Sequence, residues 1–166
     1  FGARRALVAG RNAALRRCVS LQLRSIGLDV REAPSGVVVE EMLAAAQKAN
    51  SPFDWVLMDA AMPAPGGYAL AERLIKEWPR LDRLIMMLDA NTQRGDTIKC
   101  ERLKVGARLI KPFSQSDLVD ALGLTLQGGP AEEDKFLAFE AEQTFACAPP
   151  LSRSSRRLNI LLVEDN

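Results

Sequence analysis

One stretch constrains the fold of this chain more than any other, because it joins a buried strand to an acidic residue and a break in the chain. The apolar run Trp55–Met58 predicts a strand that is buried on both faces, as in a parallel sheet. Asp59 follows directly, and Met62-Pro63 then forces a loop. Open α/β folds place their chemistry at the carboxyl ends of the strands. The sequence therefore predicts that Asp59 belongs to a functional site.

The first 126 residues repeat this alternation of a short apolar run and a helical pattern. The predicted strands are Ala6–Ala9, Leu28–Ala33, Trp55–Met58, Leu84–Leu88 and Arg108–Ile110. Asn12 is a favourable N-cap for the first helix, and Ser114–Asp117 form a capping box for the last. Five such alternations predict one parallel sheet with helices on both faces and right-handed crossovers.

Composition excludes several classes of function. A net charge of +1 gives no basic stripe for nucleic acid, and no apolar run approaches the roughly 20 residues that cross a bilayer. There is no signal-peptide pattern, so we expect no membrane contact by this segment. The three cysteines lie far apart, which indicates a reducing cytoplasm and no disulfide framework. The absence of histidine excludes imidazole catalysis and phosphohistidine on this chain.

The composition changes after residue 126. Residues 127–157 begin with Gly-Gly-Pro and end in a run rich in serine and arginine, which is typical of a linker. Within them, residues 132–146 are acidic and carry three of the six phenylalanines. We expect either a tether or a short amphipathic helix that docks reversibly on a neighbouring surface. Residues 158–166 look like the first strand of another domain.

Three features together resemble the receiver (response regulator, CheY-like) domain family of two-component signalling. They are Met58-Asp59 followed by Met62-Pro63 and Gly67, the pair Lys111-Pro112, and the fivefold repetition of strand and helix. The resemblance covers about residues 4–126. It implies a flavodoxin-like (βα)5 fold, a doubly wound parallel sheet with strand order 2-1-3-4-5.

In this family the central aspartate accepts a phosphoryl group, and two acidic residues after the first strand hold Mg²⁺. The resemblance assigns the phosphoacceptor position to Asp59 and the phosphoryl-contact lysine position to Lys111. It also makes Glu164 and Asp165 look like the acidic pair of a second receiver. Tandem receivers are typical of hybrid histidine kinases. The expected partners are therefore a kinase core and the second receiver, in the same chain or a partner chain.

Three functional positions depart from the family pattern. Laying residues 163–166 over residues 9–12 shows the acidic pair replaced by Gly10 and Arg11. The Thr or Ser position is Asp89, and the aromatic switch position is Arg108. Mg²⁺ needs several oxygen ligands at once, and a carboxylate at residue 89 would repel a phosphoryl group. We predict a pseudo-receiver with no metal in its first domain, in which Arg11 and Lys111, if both point inward, balance the two aspartates.

Two other functions stay open at this point. The chain could be a working phosphoacceptor, in which Asp59 takes a phosphoryl group from a kinase histidine with the help of Mg²⁺. It could also be a sensor of a small anion or nucleotide, because Arg4, Arg5 and Arg11 lie near the sheet edge. A flavodoxin-like redox protein shares the strand pattern, but residues 10–14 form a poor phosphate-binding loop. The chain carries no kinase motif, so we do not expect this fragment to be an enzyme.

Overall fold

The computed structural model describes residues 4–78, 81, 83–91 and 94–126. The predicted linker at 127–157, the acidic and aromatic stretch within it, and the predicted second-receiver residues Glu164 and Asp165 all lie outside this part of the chain. Within it, none of the helices is long and apolar enough to cross a membrane.

Five strands alternate with five helices in the described part of the chain. The strands are β1 (Arg5–Ala9), β2 (Asp29–Ala33), β3 (Trp55–Asp59), β4 (Leu84–Asp89) and β5 (Ala107–Lys111). The helices are α1 (Ala13–Ser25), α2 (Gly36–Lys48), α3 (Gly67–Glu77), α4 (Arg94–Arg102) and α5 (Gln115–Leu126). All strand pairs are parallel and the strand order is β2-β1-β3-β4-β5. The predicted fold is confirmed.

Each face of the sheet has its own hydrophobic core, because alternate residues of a strand point to opposite faces. On β3, Trp55 and Leu57 pack with α1 and α5, whereas Val56 and Met58 pack with α2, α3 and α4. All five residues of β3 are buried. This two-sided burial explains why the strand is a continuous apolar run and does not alternate with polar residues.

Local signals fix several helix ends as the sequence predicts. The side chain of Asn12 accepts hydrogen bonds from the backbone N–H groups of Ala14 and Leu15, at 3.0 and 3.1 Å. Gly27 adopts a φ of +91° directly after α1, a conformation that favours glycine. The capping box also forms, because Ser114 and Asp117 exchange hydrogen bonds at the start of α5.

Candidate functional site

Asp59 ends the central strand β3 and lies at the carboxyl edge of the sheet. The residue is 5% exposed. Its Oδ1 accepts a hydrogen bond from the backbone N–H of Ala61 at 2.9 Å and another from Lys111 Nζ, also at 2.9 Å. A buried carboxylate is stable only when it is paired and hydrogen-bonded, and these two donors meet that requirement.

Lys111 binds two carboxylates at once. Its Nζ lies 2.9 Å from Asp59 Oδ1 and 2.8 Å from Asp89 Oδ1. The register of the sheet explains the second contact, because Asp89 and Lys111 are direct partners at the ends of β4 and β5. Burial acts to lower the pKa of Lys111, but the hydrogen bonds to Asp89 and Asp59 outweigh it and raise the pKa. The ammonium group is therefore charged at neutral pH.

The two positions that follow β1 provide no carboxylate. Gly10 is buried against Asp59, since a β carbon added at Gly10 would lie 3.2 Å from Asp59 Cβ and 3.6 Å from its Oδ2. Arg11 is exposed to solvent. In the described part of the chain Lys111 pairs with both aspartates, whereas no ion pair joins Arg11 to either of them, so the structure gives Arg11 no support for the inward-facing role. A side chain directly before the start of α1 can extend outward, where a guanidinium is better hydrated.

Arg16 brings positive charge to the loop that follows β1, and the sequence reading did not single it out. Its Nη1 donates to the carbonyl oxygens of Gly10 at 2.6 Å and Arg11 at 3.0 Å. Its Nε lies 3.8 Å from Glu32 Oε2. The sequence does contain one indication that Arg16 faces inward. Arg16 lies three, four and seven residues before the buried residues Val19, Ser20 and Leu23. That spacing places Arg16 on the inward face of α1.

Arg108, at the aromatic switch position, is the second residue of β5. Its Nη1 is 3.7 Å from Glu101 Oε1 on α4. The arginine thus links β5 to α4, three residues before the lysine that binds Asp59. An arginine paired with a glutamate cannot pack into an apolar pocket as an aromatic ring does. The residue at this position therefore differs from the family pattern in the chemistry of its side chain.

The three arginines on which the anion-sensor hypothesis was based do not lie together in the structure. Arg4 and Arg5 lie at the amino end of β1, where Arg4 Cζ is 5.5 Å from the ring centroid of Trp55 and Arg5 pairs with Asp29. Arg11 lies at the opposite edge, after β1 ends. A parallel strand separates the residues before it from those after it, so these three do not form one site.

A cleft of about 410 Å³ lies beside Asp89 at the carboxyl edge. Its polar lining consists of Tyr68, Asp89, Asn91 and Asp96, and its apolar lining of Ala60, Ala61 and Leu88. Its volume is in the range of small-ligand sites, but two carboxylates line it and disfavour an anion. This cleft does not support the anion or nucleotide sensor.

The residues at this edge do not fit a Mg²⁺ site. Mg²⁺ requires near-octahedral oxygen ligands, usually including one or two carboxylates. Gly10 has no side chain, Arg11 is cationic, and the two carboxylates that the described residues place here, Asp59 and Asp89, both already bind Lys111. In the described ranges no cluster of three or more His, Cys, Asp or Glu residues could hold a metal ion.

Comparisons with known proteins identify the same region. Residues 6–123 match the family described as the response regulator receiver domain. The solved structure of Vibrio cholerae chemotaxis protein CheY4 is 24% identical, with a TM-score of 0.62, over 74% of this chain and 98% of that one. A putative response regulator from Chloroflexus aurantiacus is 25% identical, with a TM-score of 0.64, over 75% and 98%. No curated protein matches the chain.

Proposed function

This chain belongs to the response regulator receiver domain family, and from that premise we propose that it is a pseudo-receiver, which regulates neighbouring domains by contact and takes no phosphoryl group. Receiver domains act in two-component signalling and are generally non-catalytic. The observation that carries the proposal is the double contact of Lys111 with Asp59 and Asp89, at 2.9 and 2.8 Å. The lysine that the resemblance assigns to a phosphoryl group is already bound by carboxylates of the protein.

The charges of the site support the proposal. A phosphoryl group carries about −1.5 to −2 charges at neutral pH. On Asp59 it would lie close to Asp89, and two unit charges about 4 Å apart repel by roughly 4 kcal/mol at an effective dielectric constant of 20. A divalent cation would normally offset this repulsion, but the loop after β1 offers Gly10 and Arg11 in place of carboxylates.

The proposed setting is a hybrid histidine kinase, and it rests on the sequence pattern. Residues 4–126 would form the pseudo-receiver, residues 127–157 a linker, and residues 158–166 the start of a second receiver with Glu164 and Asp165 as its acidic pair. In that setting the pseudo-receiver holds or releases the kinase core and the second receiver, which are its proposed partners.

A working phosphoacceptor is the second candidate, because one part of the site favours it. Asp59 is placed at the end of the central strand and bound to Lys111, and both residue types match those of the family. Phosphorylation would then require Mg²⁺ to bind through Asp59, backbone carbonyl groups and water alone.

Titration with beryllofluoride and Mg²⁺, followed by amide NMR, separates the two candidates. The pseudo-receiver predicts no saturable shift at the amides of Ala61, Asp89 and Lys111. A saturable shift at these amides, lost in the Asp59→Ala variant, would establish the phosphoacceptor instead. Asp54→Ala is the control, because Asp54 directly precedes the same strand at its opposite end, where its carboxylate contacts Arg5 and Arg83 and not the site.

A further inference from the structure

Tyr68, the second residue of α3, contacts one face of α4. The Nζ of Lys99 lies 5.0 Å from the centroid of the Tyr68 ring, a distance typical of a cation–π contact. The phenol hydroxyl lies beside the side chains of Cys100 and Asp96, and burial together with these two groups raises the pKa of the phenol above its usual 10.0. Residues 96, 99 and 100 are spaced i, i+3 and i+4, so a single aromatic side chain covers one face of the helix.

The other contacts that hold α4 are modest. Among the side chains of α4 that the structure describes, only that of Cys100 is buried, with 2% of the residue exposed. Arg108 on β5 adds an ion pair with Glu101 at 3.7 Å. A helix of nine residues is marginal in isolation and depends on packing against its neighbours. The contacts of Tyr68 are therefore important for the position of α4.

Tyr68 and α4 also form part of the cleft of about 410 Å³ beside Asp89. Tyr68 from α3 and Asp96 from α4 both line this cleft. Cys100 belongs to the hydrophobic core against which the partly buried ring of Tyr68 packs. A movement of α4 away from Tyr68 would thus widen the cleft and uncover the thiol of Cys100.

We propose that Tyr68 is a latch that holds α4 against α3, and that release of this latch moves α4 outward, widens the cleft and exposes Cys100. The latch contacts, with Asp96, Lys99 and Cys100, are separate from the pairs that Lys111 forms at the carboxyl edge. The inference therefore goes beyond the proposed function and applies to both candidate functions. Tyr68 is a positioning residue for α4.

The reaction of Cys100 with a thiol reagent, dithionitrobenzoate, tests the latch under native conditions. In a background that combines Cys18→Ser and Cys147→Ser, Cys100 is the only cysteine in the sequence. Burial raises the pKa of this thiol, whereas the hydroxyl of Tyr68 acts to lower it. Loss of the hydroxyl by itself would make the thiol less reactive, so a faster reaction must come from exposure of Cys100.

Tyr68→Leu removes both the aromatic ring and the hydroxyl, and we expect Cys100 to react roughly tenfold faster or more. Tyr68→Phe keeps the ring and should accelerate the reaction by roughly two- to fivefold. Thr125→Val is the matched control, because Thr125 bonds to Trp55 in the core on the other face of the sheet. It should lower the global stability but change the reaction rate of Cys100 by less than about twofold.

Equal acceleration by Thr125→Val and the Tyr68 variants would overturn the inference, because Cys100 would then react through global unfolding. An unchanged rate in both Tyr68 variants would overturn it as well. A faster reaction in Tyr68→Leu alone supports a latch that is held by the ring. If Tyr68→Leu does not fold, the rate of Tyr68→Phe decides.

Nuclear Overhauser effects provide an independent check. Tyr68 is the only tyrosine in the sequence, so its ring protons can be assigned directly. We expect effects between this ring and the side chains of Lys99 and Cys100, and their absence in the unmodified protein would contradict the latch. The proposed function fails in a different way, through phosphorylation of Asp59, which leaves both of these measurements unchanged.

Discussion

Gly67 lies where the chain re-enters the fold after the loop that follows Asp59. A β carbon there would be 2.5 Å from the carbonyl oxygen of Asp59 and 2.8 Å from the α carbon of Ala60. Both contacts are with backbone, which cannot rotate away as a side chain can. The absence of a side chain at residue 67 thus keeps α3 close to the end of β3. It fixes the loop that carries the Ala61 N–H toward Asp59.

Gly67→Ala should destabilise the protein by about 1–3 kcal/mol, because overpacking forces the backbone to shift. Gly123→Ala is the matched control. Gly123 lies within α5 and a β carbon there would meet nothing within 4 Å. That control should stabilise the protein by up to about 1 kcal/mol, since alanine favours helix. Urea unfolding measures both. Equal free energies of unfolding for the two variants would show that the space around Gly67 is not limiting.

Thr125 fixes the last turn of α5 to the sheet. Its hydroxyl accepts a hydrogen bond from Trp55 Nε1 at 2.7 Å and donates to the carbonyl of Leu122 at 2.7 Å. Thr125→Val keeps the shape but removes this acceptor, and we expect a loss of about 1–3 kcal/mol in urea unfolding. Thr125→Ser keeps the hydroxyl and should lose only the burial of one methyl group. A valine variant no less stable than the serine variant would contradict this account.

The site residues that could be predicted from sequence are those at the ends of strands. The positions of Asp59, Asp89 and Lys111 follow from strand ends alone, because parallel strands bring their carboxyl ends to one edge. The roles of Arg11 and Arg16 could not be read in this way. Both have long, flexible side chains near a loop, and their directions depend on which carbonyl groups the loop turns toward them.

Among the helices, α5 begins with a cap that is stabilised by the negative charge of Asp117. The backbone N–H and then the hydroxyl of Ser114 donate to the carboxylate of Asp117, each at 2.7 Å, and they lower the pKa of that carboxyl below its usual 3.8. A lowered pKa stabilises the folded state above pH 3.8. The stabilisation is lost as the pH falls through the lower pKa of the folded protein.

Asp117→Asn should therefore destabilise the protein at about pH 7, and the difference from the unmodified protein should shrink towards about pH 2, as the carboxyl of Asp117 takes up its proton. Urea unfolding at the two pH values measures it. Asp120→Asn, on an exposed part of the same helix, should show little difference at either pH. A destabilisation by Asp117→Asn that is equal at both pH values would show that charge does not stabilise this cap.

The predicted strands and the observed strands differ mainly at their end residues. The predicted fifth strand, Arg108–Ile110, extends by one residue at each side to Ala107–Lys111. β5 is an edge strand in which buried and more exposed residues alternate over its first four positions, so its sequence contains no continuous apolar run that would mark its ends. The observed strands β3 and β4 each extend one residue beyond the predicted strand, to a terminal aspartate. Each aspartate pairs with the neighbouring strand although it is not apolar.

At the scale of the whole molecule, the two edges of the sheet have different charged groups. At the amino edge Arg4 and Arg83 stack on Trp55, and Arg83 lies 3.8 Å from Asp54. At the carboxyl edge Lys111 binds two aspartates, and Arg16 binds the loop after β1. The cations of the carboxyl edge thus bind carboxylates and backbone carbonyl groups of the protein itself. We therefore expect the loops at the carboxyl edge to keep their positions when no ligand is bound.

Incubation with acetyl phosphate and Mg²⁺, followed by intact-mass spectrometry, tests this central claim most directly. We predict that the protein keeps its unmodified mass, because Lys111 is bound by two carboxylates and positions 10 and 11 supply no metal ligand. Substantial conversion to a species heavier by one phosphoryl group, abolished by Asp59→Ala, would contradict the account and establish Asp59 as a working phosphoacceptor.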